Sequence, residues 1–121
     1  LYRIVFACDE IAEVLDKTGL SKQQKDEILK IESELSIIAR QGRAFGIHLV
    51  LATQRPDAAI LNGQIRNNID TRICGRADNV LSQIILDNTD ASDKIAKSSQ
   101  GRFLTNSGKI FQVYWFDENI L

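Results

Sequence analysis

Apolar residues fall along this chain in short unbroken runs and in spaced stripes, and the two patterns predict different elements. Ile4, Val5, Phe6, Ala7 and Cys8 form one run, and residues 47–53, starting Ile47-His48-Leu49-Val50-Leu51, form another. Runs of this length without alternation predict parallel strands covered on both faces. Between them Ile28, Ile31, Leu35 and Ile38 recur at steps of three and four, with Lys25, Asp26, Lys30, Glu32 and Glu34 in the other positions. That spacing predicts an amphipathic helix over residues 22–44, opened by a Ser21/Gln24 capping box and ended by Gly46.

The remaining elements are shorter. Ile11, Val14 and Leu15 mark a brief helix after the first strand, and Pro56 ends the second strand because it donates nothing to a ladder. Residues 57–68 read as helical with an interruption at Gly63, 71–74 as a third strand, and 79–87 as a helix with Leu81, Ile84 and Ile85 inward. The polar stretch 88–100 leaves room for one helical turn at 91–96. Residues 102–105 and 109–115 then flank Asn106-Ser107-Gly108, the residues a hairpin turn requires.

Bulk properties narrow the classes only a little. A chain of 121 residues with 44% apolar content supports one core. A formal net charge of -1 gives no global attraction to nucleic acid, so any such contact rests on local groups. Cys8 and Cys74 sit in apolar runs without disulfide or metal spacing, which predicts core thiols in a reducing cytosol. No apolar stretch approaches the roughly 20 residues of a membrane span and no signal peptide is visible, leaving any membrane anchor to sequence outside these residues.

The chemistry concentrates where the first run meets Asp9 and Glu10. Acids at the end of a buried strand stand in the crevice where open α/β sheets bind ligands, with Asp9 placed for Mg²⁺ and Glu10 for activating water. The plainer reading is a carboxylate pair at the start of the following helix, favoured there by the helix dipole. Thr53 and Gln54 emerge from the neighbouring strand, placed to bond a γ-phosphate or the lytic water. His48, the single histidine, reads as a core residue. A phosphate-binding enzyme also needs a Gly-rich loop, yet the one Gly-Lys pair, Gly108-Lys109, is followed by Ile110 and preceded by Phe103 where the loop's first Gly belongs. The expectation is therefore a fragment, the second half of a nucleotide-binding domain beginning inside a strand at Leu1. Its bare sheet surface predicts self-association, and the fragment itself is expected to be inactive.

Several blocks together resemble the motor domain of the FtsK/SpoIIIE family of RecA-like, DNA-pumping ATPases. They are DEIAEVL (9–15), ARQGRAFGIHLVLATQRPD (39–57), NGQIRNNIDTRI (62–73), SQIILDN (82–88) and GRFL (101–104), in the family's order and spanning nearly the whole chain. GIHLVLATQRP is the most specific. The resemblance implies a partial RecA-like P-loop NTPase three-layer α/β sandwich, mainly parallel, with a C-terminal antiparallel hairpin. Residues 1–121 would be the C-terminal portion of a single such domain, from the Walker B strand onward.

By the same resemblance the cofactors are ATP and Mg²⁺. Asp9 serves the metal shell, Glu10 is the catalytic base, and Thr53 and Gln54 sense the nucleotide. Arg43, in the RAxG position, is a candidate finger reaching a neighbouring subunit's nucleotide, with Arg40 second and Arg55, Arg72 and Arg76 unranked. Gln64, Ile65, Arg66, Asn67 and Asn68 form the candidate element for double-stranded DNA, whose phosphates need only basic and hydrogen-bonding groups. Lys94, Lys97 and Arg102 read as a solvated surface. The assembly implied is a homo-oligomeric ring, a hexamer, working in the cytoplasm and open to a membrane anchor elsewhere. Departures at Ala7, Cys8 and Asp70, and a short tail after Leu104, lean toward conjugative or secretion branches. Two alternatives stand beside the translocase: the ATPase of a membrane-anchored protein secretion system, and an interaction module that has lost nucleotide binding.

Overall fold

A computed structural model describes residues 2–120, and the chain falls into two compact units bounded as Leu1–Asp70 and Thr71–Leu121. In the first, strand β1 (Ile4–Cys8) pairs in parallel with β2 (Ile47–Leu51), in a register running from Ile4 opposite Ile47 to Cys8 opposite Leu51. A parallel pair needs a crossover, and helices α1 (Ile11–Leu15) and α2 (Lys22–Gln41) supply it. The predicted capping box is present: Gln24 N–H donates to Ser21 Oγ at 3.3 Å and Ser21 N–H to Gln24 Oε1 at 3.0 Å. After α2 the chain tightens into a 3-10 turn, Gly42–Phe45, instead of continuing as α-helix to residue 44. Gly46 then reverses it at φ 73°, where a Cβ would stand 3.2 Å from the Tyr2 carbonyl oxygen.

Ile11, Leu15, Leu35, Leu61 and Ile65 form the core of this unit, with Cys8, Leu49 and Leu51 packed against it from the sheet. Strand alternation therefore turns Val5, His48 and Val50 to the other face, where all three are exposed. This corrects two expectations. Neither strand is covered on both faces: the packing lies on the Cys8 side and reaches only Cys8, Leu49 and Leu51, Ile4 and Phe6 on that same side are half or more exposed, and His48 is a surface residue.

The buried stripe of α2 also differs from the simple apolar pattern. Ile31 is exposed, whereas Glu32 and Ser36 are buried beside Leu35. Glu32 lies four residues after Ile28 and three before Leu35, on their face of the helix. Its charge is sustained there by Lys17 Nζ, which donates to Oε1, and by Asn62 Nδ2, which donates to Oε2 at 3.3 Å. Residues 57–68 do not form one interrupted helix. Asp57 makes a turn with its own Oδ1 accepting from Ala59 N–H at 2.7 Å, and Asn62 then caps a separate helix, α3 (Gly63–Asn67), accepting from Ile65 N–H at 3.0 Å. Leu15 is fully enclosed between these helices, so Leu15→Ala is expected to cost ~2–5 kcal/mol, measured as a drop in the urea midpoint.

In the second unit β3 (Ile73–Gly75), β4 (Arg102–Thr105) and β5 (Ile110–Gln112) form an antiparallel sheet in that order. The hairpin is where the sequence places it, with Gly108 at φ 88° in the turn. β3, the expected third strand, pairs antiparallel with the hairpin, Cys74 opposite Leu104. Cys74 and Leu104 pack with Leu86 of α4 (Asn79–Leu86), Ala91 of α5 (Asp90–Asp93) and Ile95. Burial pushes the Cys74 thiol pKa up, in keeping with a structural thiol. β5 ends at Gln112 and not at Trp115, leaving Tyr114 and Trp115 outside the ladder and exposed. Among the described residues no helix is long and apolar enough to cross a membrane.

Candidate functional site

The C-terminal ends of β1 and β2 are fastened together beyond the last strand pair. Ala52 N–H donates to the Cys8 carbonyl at 2.9 Å, and Ile11 N–H donates to the Ala52 carbonyl at 2.9 Å. These bonds bring Asp9 and Glu10 alongside Thr53 and Gln54, 43 residues away in sequence. Glu10 Oε1 accepts from the Thr53 hydroxyl, and Oε2 accepts from Gln54 N–H at 3.0 Å. Thr53 Oγ1 in turn accepts from Arg55 N–H at 2.9 Å, which directs its own hydrogen toward Glu10.

Those donors favour the charged carboxylate. The Gln54 N–H first, then the Thr53 hydroxyl, hold the Glu10 pKa below the ordinary glutamate value, against a smaller opposing effect of desolvation. The linked stability is present at neutral pH and is lost as pH falls through the lowered value. Each carboxylate oxygen has a second lone pair, so both remain able to accept from water.

Asp9 is exposed and has no hydrogen-bond partner among the described residues, and the Gln54 side-chain amide is likewise free. No cluster of three or more His, Cys, Asp or Glu groups poised for a metal occurs among the described residues. Mg²⁺ does not need one, since it keeps several waters and takes one or two carboxylates together with substrate phosphates. An unengaged, hard-oxygen Asp9 beside Glu10 fits that demand.

The arginines separate clearly. Arg55 pairs with Glu13, Arg72 bonds Asp87 Oδ2 at 3.1 Å, and Arg76 donates to the Ser92 and Ile95 carbonyls. Arg40 and Arg43 are exposed and carry no such bond. Arg43 lies in the 3-10 turn that enters β2, whereas Glu10 lies at that strand's exit. Five strand residues put about 16 Å between those two ends, beyond the span of one arginine side chain.

Arg66, Asn67 and Asn68 sit on the short α3 and its C-cap rather than on an open loop. Arg66 Nε donates to the Leu61 carbonyl at 3.0 Å and Asn68 Nδ2 to the Gln64 carbonyl at 2.8 Å. Asn67 is the exposed member of the three. Sequence reasoning missed the Glu13–Arg55 pair and the buried Lys17–Glu32–Asn62 bridge. A signal for the first was present in the spacing: Glu13 follows Glu10 by one helical turn, so both face the segment after β2.

The chain is similar to known proteins. The chain is 39% identical over 85 residues to DNA translocase FtsK 2 of Ralstonia nicotianae, covering 69% of this chain and 10% of that protein. The solved conjugation coupling protein TcpA of pCW3, in its monomer form with ATPgS, matches at TM-score 0.87 and 42% identity, covering 99% of this chain and 34% of TcpA. This chain belongs to the FtsK/SpoIIIE-type motor domains. The FtsK/SpoIIIE-type segment thus spans about a tenth of its curated relative and a third of TcpA. The cytoplasmic domain of the Thermomonospora curvata type VII secretion ATPase EccC matches at TM-score 0.65 and 24% identity, covering 87% of this chain and 11% of that one, a likeness of fold. No protein-family model matches the segment. Its fold class is that of P-loop ATPase motors, with a two-stranded parallel and a three-stranded antiparallel sheet.

Proposed function

We propose that this chain supplies the hydrolytic acid pair of an ATP-driven motor that moves double-stranded DNA, in chromosome segregation or conjugative transfer. The observation that carries the reading is Glu10 held by Thr53 and the Gln54 N–H at paired parallel strand ends, with Asp9 unengaged beside it. Relatives named as DNA translocases, and the TcpA structure obtained with ATPgS, support the choice of ATP and DNA.

Glu10 accepts the proton of the attacking water while Thr53 and Gln54 N–H fix the carboxylate's position. Asp9 would hold Mg²⁺, which when bound would supply charge neutralisation at the phosphates. The Gln54 amide is free to contact the γ-phosphate. Arg43 cannot serve the Glu10 of its own subunit, so it acts on a neighbour's nucleotide within a homo-oligomeric ring, a hexamer, in the cytoplasm. Duplex DNA is contacted from the α3 region, Asn67 first. Any membrane anchor lies outside these residues.

The test is steady-state ATP hydrolysis by the full-length protein with and without duplex DNA. A rate that rises with duplex length supports the translocase, whereas a rate indifferent to DNA transfers the cargo role to protein. The 121 residues alone carry no Gly-rich phosphate loop and are expected to give no turnover.

A further inference from the structure

The segment after β2 does more than present Thr53 and Gln54. Thr53, Gln54 and Arg55 together direct donors at two glutamates one helical turn apart. The Thr53 hydroxyl and Gln54 N–H reach Glu10, and the Arg55 guanidinium reaches Glu13 in the first turn of α1. Arg55 also acts through its backbone, because its N–H occupies Thr53 Oγ1 and leaves the hydroxyl hydrogen for Glu10. Glu10 itself is the N-cap of α1, and its side chain is held chiefly from across the sheet end, by the Gln54 N–H and the Thr53 hydroxyl. Pro56, buried directly after Arg55, stiffens the same segment.

We infer that Arg55, through its ion pair with Glu13, is a positioning residue for the base Glu10. It ties α1 to the turn after β2 and so sets where the carboxylate stands. This inference rests on the proposed role of Glu10 and adds to it a residue that touches neither substrate nor metal. The pair is exposed, with side-chain accessibilities of 51% for Arg55 and 70% for Glu13, so its loss moves the segment without unfolding the chain. Displacements of about 1 Å in a catalytic group can lower a rate by around a hundredfold. A moderate fraction of that is expected here, since Thr53 and Gln54 still hold Glu10.

The experiment is ATP hydrolysis by the full-length protein carrying Arg55→Glu, Glu13→Arg, the combined swap, and Arg55→Lys. Arg55→Glu is expected to lower kcat roughly tenfold with KM for ATP nearly unchanged, the signature of a group acting on the chemical step. Arg55→Lys should keep most of the rate, and the combined swap should recover it to within about threefold. An unchanged kcat in Arg55→Glu overturns the inference, as does a combined swap no better than the single variant. A rise in KM at constant kcat also overturns it, because Arg55 would then contact nucleotide. Glu10→Gln runs alongside: if it retains turnover, the base reading and this inference both fall. If it loses turnover while the Arg55 series stays at the parent rate, only this inference falls.

Discussion

Arg43→Ala in the full-length protein is expected to lower ATP turnover by about 10³-fold or more, the scale of a lost arginine finger. The ground is that the other candidates are already engaged: Arg55, Arg72 and Arg76 each hold a partner within the chain. Arg43 is exposed in a short 3-10 turn beside the exposed Phe45, with no carboxylate or carbonyl of its own. Losing it removes no packing, so the circular dichroism spectrum and urea midpoint should stay at parent values. Arg40→Ala, one helical turn earlier, serves as the comparison and should cost far less. Mixing supplies the decisive measurement. Arg43→Ala subunits combined with Glu10→Gln subunits should regain turnover, because some interfaces then join an intact base to an intact arginine. Mixtures no faster than either variant alone would reject the action in trans.

Glu10→Gln is expected to reduce turnover by about 10²–10⁴-fold while ATP binding persists. Glutamine retains the size of the side chain and one acceptor for the Thr53 hydroxyl, so what is removed is the proton acceptor. Binding measured with a non-hydrolysed ATP analogue should match the parent. Loss of both binding and turnover would place Glu10 among the structural supports of the strand ends instead. Because Gln54 N–H and Thr53 stabilise the charged carboxylate, the parent protein should stay active to a lower pH than an ordinary glutamate permits. Its acid limb should appear only as pH falls through the depressed value.

Much of this arrangement was legible in sequence because it rests on local rules. The strand runs, the Ser21/Gln24 box and the Asn106-Ser107-Gly108 turn each declare themselves within a few residues, and each is found where expected. The position of Asp9 and Glu10 directly after β1 was readable for the same reason. Elements whose state depends on distant partners were less readable. Hydrophobic periodicity assigned Ile31 inward and Glu32 outward, since it has no means of knowing that Lys17 and Asn62 stand ready to neutralise a buried acid. His48 sat in an apolar run, but a run cannot say which of a strand's faces is covered. β3 offered too few residues to reveal its direction, which is set by a hairpin some 30 residues later. The Glu13–Arg55 pair joins positions 42 residues apart, and only the parallel register of β1 with β2 makes them neighbours.

The brevity of β2 has a geometric outcome for assembly. On the proposed roles, Arg43 leading into the strand and Glu10 stationed at its exit would give each protomer a donating pole and a receiving pole set by one rigid rod. Copies arranged nose to tail could match pole to pole all the way round, so the circle would inherit a sense of rotation from five residues of backbone.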